Sequence, residues 1–141
     1  MNYLLDTNVV SEWVKPQPNR DVIAWLAAVD EDRVFLSVVT IAEIRRGIER
    51  LAPSRRRDSL QSWLDAELPS RFERRIAVID TPIANAWGVM MTRVEKSGVG
   101  LGTMDAFLAA TAATLDLTLV TRNTDDFEAV GVKLFNPWIA P

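Results

Sequence analysis

The stretch YLLDTNVV, residues 3–10, runs apolar into Asp6 and then turns polar. Glu43 stands one turn past a second apolar run, and Asp105 lies in the first turn of a helix-like stretch, MDAFLAATAATL. TRNTDDF, residues 121–127, adds Asn123, Asp125 and Asp126. The chain has no cysteine and no histidine. Thiol nucleophiles, zinc–thiolate sites, disulfides and imidazole bases are therefore excluded, and chemistry falls to carboxylates, hydroxyls, amides and cations. Carboxylates gathered in one place raise each other's pKa unless a cation intervenes. Mg²⁺ or Mn²⁺ suits such a site, because hard ions take oxygen ligands, keep several waters and do not need histidine. An ion held this way activates water for in-line attack on a phosphodiester.

These acids must be carried to one place by the fold. Short β-branched or apolar runs (YLL, RVFLSVV at 33–39, RRIAVID at 74–80, TLVT at 118–121, VKLFNP at 132–137) alternate with helical patterns at 22–29, 41–51, 58–74, 83–94 and 104–115. Alternation of this kind predicts an α/β fold: a mainly parallel central sheet joined by right-handed crossovers, with helices on both faces. Ligands of such sheets bind outside the carboxyl ends of the strands. Asp6, Glu43, Asp105 and the 121–127 loop can all converge there.

Each acid also has a plain structural role open to it. Thr40 and Glu43 have the T-x-x-E spacing of a capping box, and Asp105 complements the positive end of a helix dipole. Asp6 can cap the next helix, Asp80 before Thr81-Pro82 reads as a cap, and Thr103 stands at another helix start after Gly98, Gly100 and Gly102.

With 141 residues, 48% hydrophobic and 25% charged, the chain reads as one ordinary globular domain over 1–141. No basic leader with an apolar core opens it and no ~18-residue apolar run occurs, so a cytoplasmic protein without membrane association is expected. The net charge of −3 disfavours a simple electrostatic nucleic-acid binder. The distribution is uneven: residues 43–75 hold nine arginines against six acids. That region reads either as a phosphate-facing surface or as a solvated, ion-paired helical face.

LLDTNVVSE with Asp6, SVVTIAEIRRGIERL with Glu43, GTMDAFLAATAATLDLTLVTRN with Asp105, and the closing NPW at 136–138 together resemble the PIN-domain ribonucleases. The resemblance covers essentially the whole chain and is to the VapC toxins of toxin–antitoxin operons, in the FitB-like branch. It implies a three-layer fold whose acidic pocket binds Mg²⁺ or Mn²⁺ and cleaves RNA. It also implies a homodimer held inactive by a small VapB-like antitoxin that itself binds operator DNA. By position, Asp6 and Asp105 resemble the principal metal ligands and Glu43 the third acid. Thr7 and Asn8 would support Asp6 and the scissile phosphate, and Thr121 would line the pocket floor. The family often carries a fourth acid where this chain has Asn123, so Asp125 or Asp126 is expected to substitute, or a second metal to be weakly held.

On this reading a carboxylate-held metal, without a covalent intermediate, yields 5′-phosphate and 3′-hydroxyl ends. Arg45, Arg46 and Arg122 are the expected phosphate contacts. Apolar surface at Trp13, Trp25 or Trp63 could dock an antitoxin helix, although burial in the core is the commoner fate of a tryptophan, and an inhibitor arginine is expected to pair with the carboxylates. An aspartyl-phosphate phosphatase would want an acid at Asn8, and a phospho-receiver a lysine where Arg122 stands. A PIN fold that only binds RNA or a partner is the remaining alternative.

Overall fold

In the computed structural model, which describes residues 1–139, three layers form around a five-stranded, all-parallel sheet. The strands are β1 (Tyr3–Leu5), β2 (Val34–Ser37), β3 (Ile76–Ala77), β4 (Thr118–Val120) and β5 (Leu134–Phe135), in the order β3-β2-β1-β4-β5. Register pairs Leu4 with Phe35 on one side and with Leu119 on the other. Successive side chains face opposite layers, as strand geometry requires. Leu5, Val120 and Phe135 enter one core with Val10, Val22, Ile48, Leu64 and Phe72, while Leu4, Leu119 and Leu134 enter the other with Leu108, Ala109 and Phe127.

The first core is covered by α1 (Thr7–Val10), α2 (Arg20–Ala28), α3 (Val38–Glu49), α4 (Arg55–Ser62) and α5 (Leu68–Arg71). The second lies under α6 (Thr81–Ser97) and α7 (Thr103–Leu115), with the short α8 (Thr124–Phe127) closing it. Among the described residues, no helix is long and apolar enough to cross a membrane.

Three local expectations need correction. The second strand ends at Ser37, whose hydroxyl accepts from the Val39 N–H and starts α3 there. Thr40 is thus a buried residue inside the helix, and the Thr40–Glu43 capping box does not form. A single cap outweighed the β preference of Val38 and Val39. The helix expected over 58–74 is broken by a π-turn at Trp63–Glu67, with Pro69 in the first turn of α5, and Arg74 adopts a left-handed φ of 66°. Helix α7 begins on Gly102 with no side-chain cap, leaving Thr103 as its first residue. Asp80 does cap α6, accepting from the Ile83 N–H at 3.1 Å.

Several arginines of the arginine-rich region are tied to neighbouring groups of the protein. Arg71 pairs with Glu31 and lies 4.1 Å over the Trp13 ring, Arg57 binds Glu49 and the Ile48 carbonyl, and Arg75 donates to the Val34 and Arg71 carbonyls. Arg45 pairs with Asp65 and Glu49 in a surface ion-pair network.

Candidate active site

The chain leaves β1 toward β2 on one side and later returns to β4 on the other. The carboxyl ends of β1 and β4 therefore form the switch point at which open parallel sheets bind ligands. Asp6 follows β1 and Thr121 follows β4, and both remain in the ladder: the Asp6 N–H donates to the Val120 carbonyl and the Thr121 N–H to the Phe135 carbonyl, each at 2.9 Å.

Asp6 is buried, 5% exposed, yet its carboxylate is fully engaged. Oδ1 accepts from the Thr7 N–H at 2.7 Å, capping α1, while Oδ2 accepts from the Thr121 hydroxyl at 2.8 Å and the Asn8 amide at 3.4 Å. Burial pushes its pKa above the ordinary value; the Thr121 and Thr7 donors pull against this, Glu43 adds to it and Asn8 opposes it. Asp6 is thus both the cap it was expected to be and a buried acid facing another acid.

Glu43 reaches the same place from α3, where its Oε1 accepts from the Thr7 hydroxyl at 2.8 Å. Asp105, half-buried in the first turn of α7, has its carboxyl pushed up to about 6, by burial first and then by Asp6, Glu43 and Asp126. The four acids therefore share one electrostatic neighbourhood. Of the two loop acids, Asp126 is the one whose charge adds to the rise at Asp105. Asn123 contributes its backbone instead, its N–H donating to the Thr121 hydroxyl at 3.0 Å. Asn8 spans the pocket floor, donating to Thr121 Oγ1 at 3.4 Å and accepting from the Arg122 N–H at 3.3 Å.

Among the described residues, no three His, Cys, Asp or Glu side chains already stand close enough to hold a metal ion directly. The donor set itself is all oxygen, and the acids repel one another. These properties fit a hard divalent cation held partly through water rather than a closed protein cage. Asp6, Glu43 and Asp105 are the residues that would hold it.

Glu12 escaped the sequence reading. It is 2% exposed, accepts from the Asn19 N–H at 2.8 Å and pairs with Lys15. Burial pushes its carboxyl up, but Lys15, the Asn19 N–H and the nearby Arg122 together hold it below the ordinary range. The one sequence signal was an acid inside the apolar run VVSEWV with a lysine three residues on.

A family model described as PIN domain matches residues 3–133. The chain is a PIN domain. It is 38% identical over 135 residues to toxin FitB of Neisseria gonorrhoeae, covering 96% of this chain and 97% of that protein. It is 35% identical to the VapC ribonuclease Y4jK of Sinorhizobium fredii, covering 96% of each. The crystal structure of FitAcB from Neisseria gonorrhoeae superposes with a TM-score of 0.92 at 37% identity, over 98% of this chain and 99% of that one. That of VapBC2 from Rickettsia felis, bound to a DNA fragment from its promoter, gives 0.81 at 26% identity over 96% and 98%. This PIN domain belongs with the VapC-family toxins.

Proposed function

We propose that this PIN domain is a Mg²⁺- or Mn²⁺-dependent endoribonuclease, the toxin of a toxin–antitoxin pair. The observation that carries the reading is the crowding of Asp6, Glu43, Asp105 and Asp126 at the β1/β4 switch point, where burial and then Asp6, Glu43 and Asp126 push the Asp105 carboxyl up. When bound there, a divalent cation would neutralise these acids, lower the pKa of a water and stabilise charge building on the phosphate. Asp6, locked by three donors, sets the fixed edge of the site. Glu43 is oriented by the Thr7 hydroxyl. Asp105 and Asp126 share the same electrostatic neighbourhood, and the exposed Arg122, which follows Thr121, is suited to an RNA phosphate.

The partner reading has physical support in a groove of about 330 Å³ that starts at Thr7 and Glu43 and runs over Ile44, Ile48, Leu60 and Trp63. An amphipathic helix from a small antitoxin would lay its apolar face there, with an arginine entering the carboxylates. Of the three tryptophans considered for docking, Trp63 lines this groove, whereas Trp13 packs on Phe72 and Trp25 on Tyr3 and Phe135. The reading also takes the protein to be a homodimer, and its antitoxin to bind operator DNA, the latter in line with VapBC2 of Rickettsia felis bound to a promoter DNA fragment.

Cleavage of RNA by antitoxin-free protein, with the product ends mapped, tests this function. Metal-dependent cuts leaving 5′-phosphate ends support it, and 2′,3′-cyclic phosphate ends would sink it. The rival, a PIN fold that binds RNA or a partner without cutting, draws on the absence of a ready-made metal cluster among the described residues. It would show as RNA binding by folded protein with no cuts under either metal.

A further inference from the structure

The closing NPW motif has no part in the function just proposed, yet the structure ties it to the carboxylate centre. We propose that Asn136 is a positioning residue for Asp6, acting through the peptide group that joins Arg122 to Asn123; the inference rests on the nuclease reading above.

Asn136 is held at both its side chain and its backbone. Its Oδ1 accepts from the Trp138 N–H at 2.9 Å, and its backbone carbonyl accepts from the Ile139 N–H at 3.3 Å, closing a tight turn around the buried Pro137. The turn is pinned to the body by the Trp138 ring, which packs on the core and has the Arg122 guanidinium 5.6 Å from its centroid. The Asn136 amide is thereby aimed at Arg122, donating to its carbonyl at 3.3 Å.

That carbonyl belongs to the same peptide group as the Asn123 N–H, which donates to Thr121 Oγ1 at 3.0 Å; Thr121 in turn donates to Asp6 Oδ2 at 2.8 Å. A donor on the carbonyl polarises the peptide and strengthens its N–H, so each bond in the chain supports the next. The peptide on the other side of Arg122 is held independently, by Asn8 Oδ1 at 3.3 Å. Together with the Asn8 amide, which donates to the same Oγ1 at 3.4 Å, a contact from the far end of the chain, 130 positions after Asp6, thus holds Thr121 in the rotamer that points its hydrogen at Asp6.

The test is a double-mutant cycle between Asn136→Ala and Thr121→Val, reading the Mn²⁺ affinity of the metal-free protein by calorimetry, with kcat and KM on an RNA oligonucleotide alongside. Outer-shell groups of metal sites typically matter about 10- to 100-fold, and one bond further out about a three- to tenfold loss of Mn²⁺ affinity is expected. The loss should appear in kcat with KM unchanged, and should vanish when Thr121→Val is already present. Asn136→Asp keeps the acceptor for the Trp138 N–H while removing the donor, so it carries the cycle if Asn136→Ala fails to fold; its added charge acts in both backgrounds and cancels. Unchanged Mn²⁺ affinity, or a loss that simply adds to that of Thr121→Val, would overturn the proposal and leave Asn136 a local turn residue. Wild-type protein that neither binds Mn²⁺ nor cuts RNA would overturn the nuclease reading itself, and this one with it.

Discussion

The hydroxyl of Thr121 donates to the buried carboxylate of Asp6 across 2.8 Å, joining the ends of two neighbouring strands whose onward connections run to opposite sides of the sheet. The bond places a fixed, hydrogen-bonded acid at the one point of the fold where a cleft must open.

Thr121→Val keeps the shape of the side chain and removes that donor. A hydrogen bond to a charged group contributes about 1.5–3 kcal/mol, so cleavage should fall by roughly 10- to 100-fold. The variant should stay folded, because β4 retains its ladder bonds. Single-turnover rates on an RNA oligonucleotide, with circular dichroism as the control, check this.

The Asp105 carboxyl, pushed up to about 6 from an ordinary 3.8, fixes a pH dependence. Between those values the folded protein holds a proton that the unfolded chain has released, so without metal the stability from this group falls as pH rises through that window, and levels off above it. A divalent cation competes for the same oxygens. Mn²⁺ affinity should therefore climb over the same window and flatten above about pH 7. Calorimetric titrations on both sides of the window check it, and equal affinities at both would contradict the placing of Asp105 at the metal.

Ile48, 3% exposed, lies beneath the groove that ends at Trp63. Trp63→Ala should weaken antitoxin capture by about tenfold or more, as loss of an aromatic anchor does, while RNA cleavage by the free protein stays within about twofold. Co-expression with its antitoxin and competition between wild-type and variant toxin would measure it.

Much of this was legible from residue order. The sheet followed from short apolar runs separated by helix-length stretches, and Asp6 stood out because it ends the first such run, whereas Thr121 entered only through the family resemblance. Glu43 was readable as an acid near the site but not as Thr7's partner, since T-x-x-E spacing looks the same whether or not a helix starts at its threonine. The helix in fact starts three residues earlier, on Ser37. That Asp126 rather than Asp125 bears on Asp105 depends on how the short α8 turns after Asn123, which two adjacent aspartates cannot disclose. Glu12 was hidden for a different reason. Burial of a charge depends on partners such as the Asn19 N–H, supplied by backbone that only the folded loop delivers.

The most direct test of the central claim is cleavage of total bacterial RNA by the antitoxin-free protein with Mn²⁺ or Mg²⁺ against EDTA, with Asp6→Asn in parallel. Cuts that need metal, leave 5′-phosphate ends and disappear in a folded Asp6→Asn protein are the predicted result. Cuts that persist in EDTA or in Asp6→Asn, or no cuts from folded wild-type protein under either metal, would contradict it.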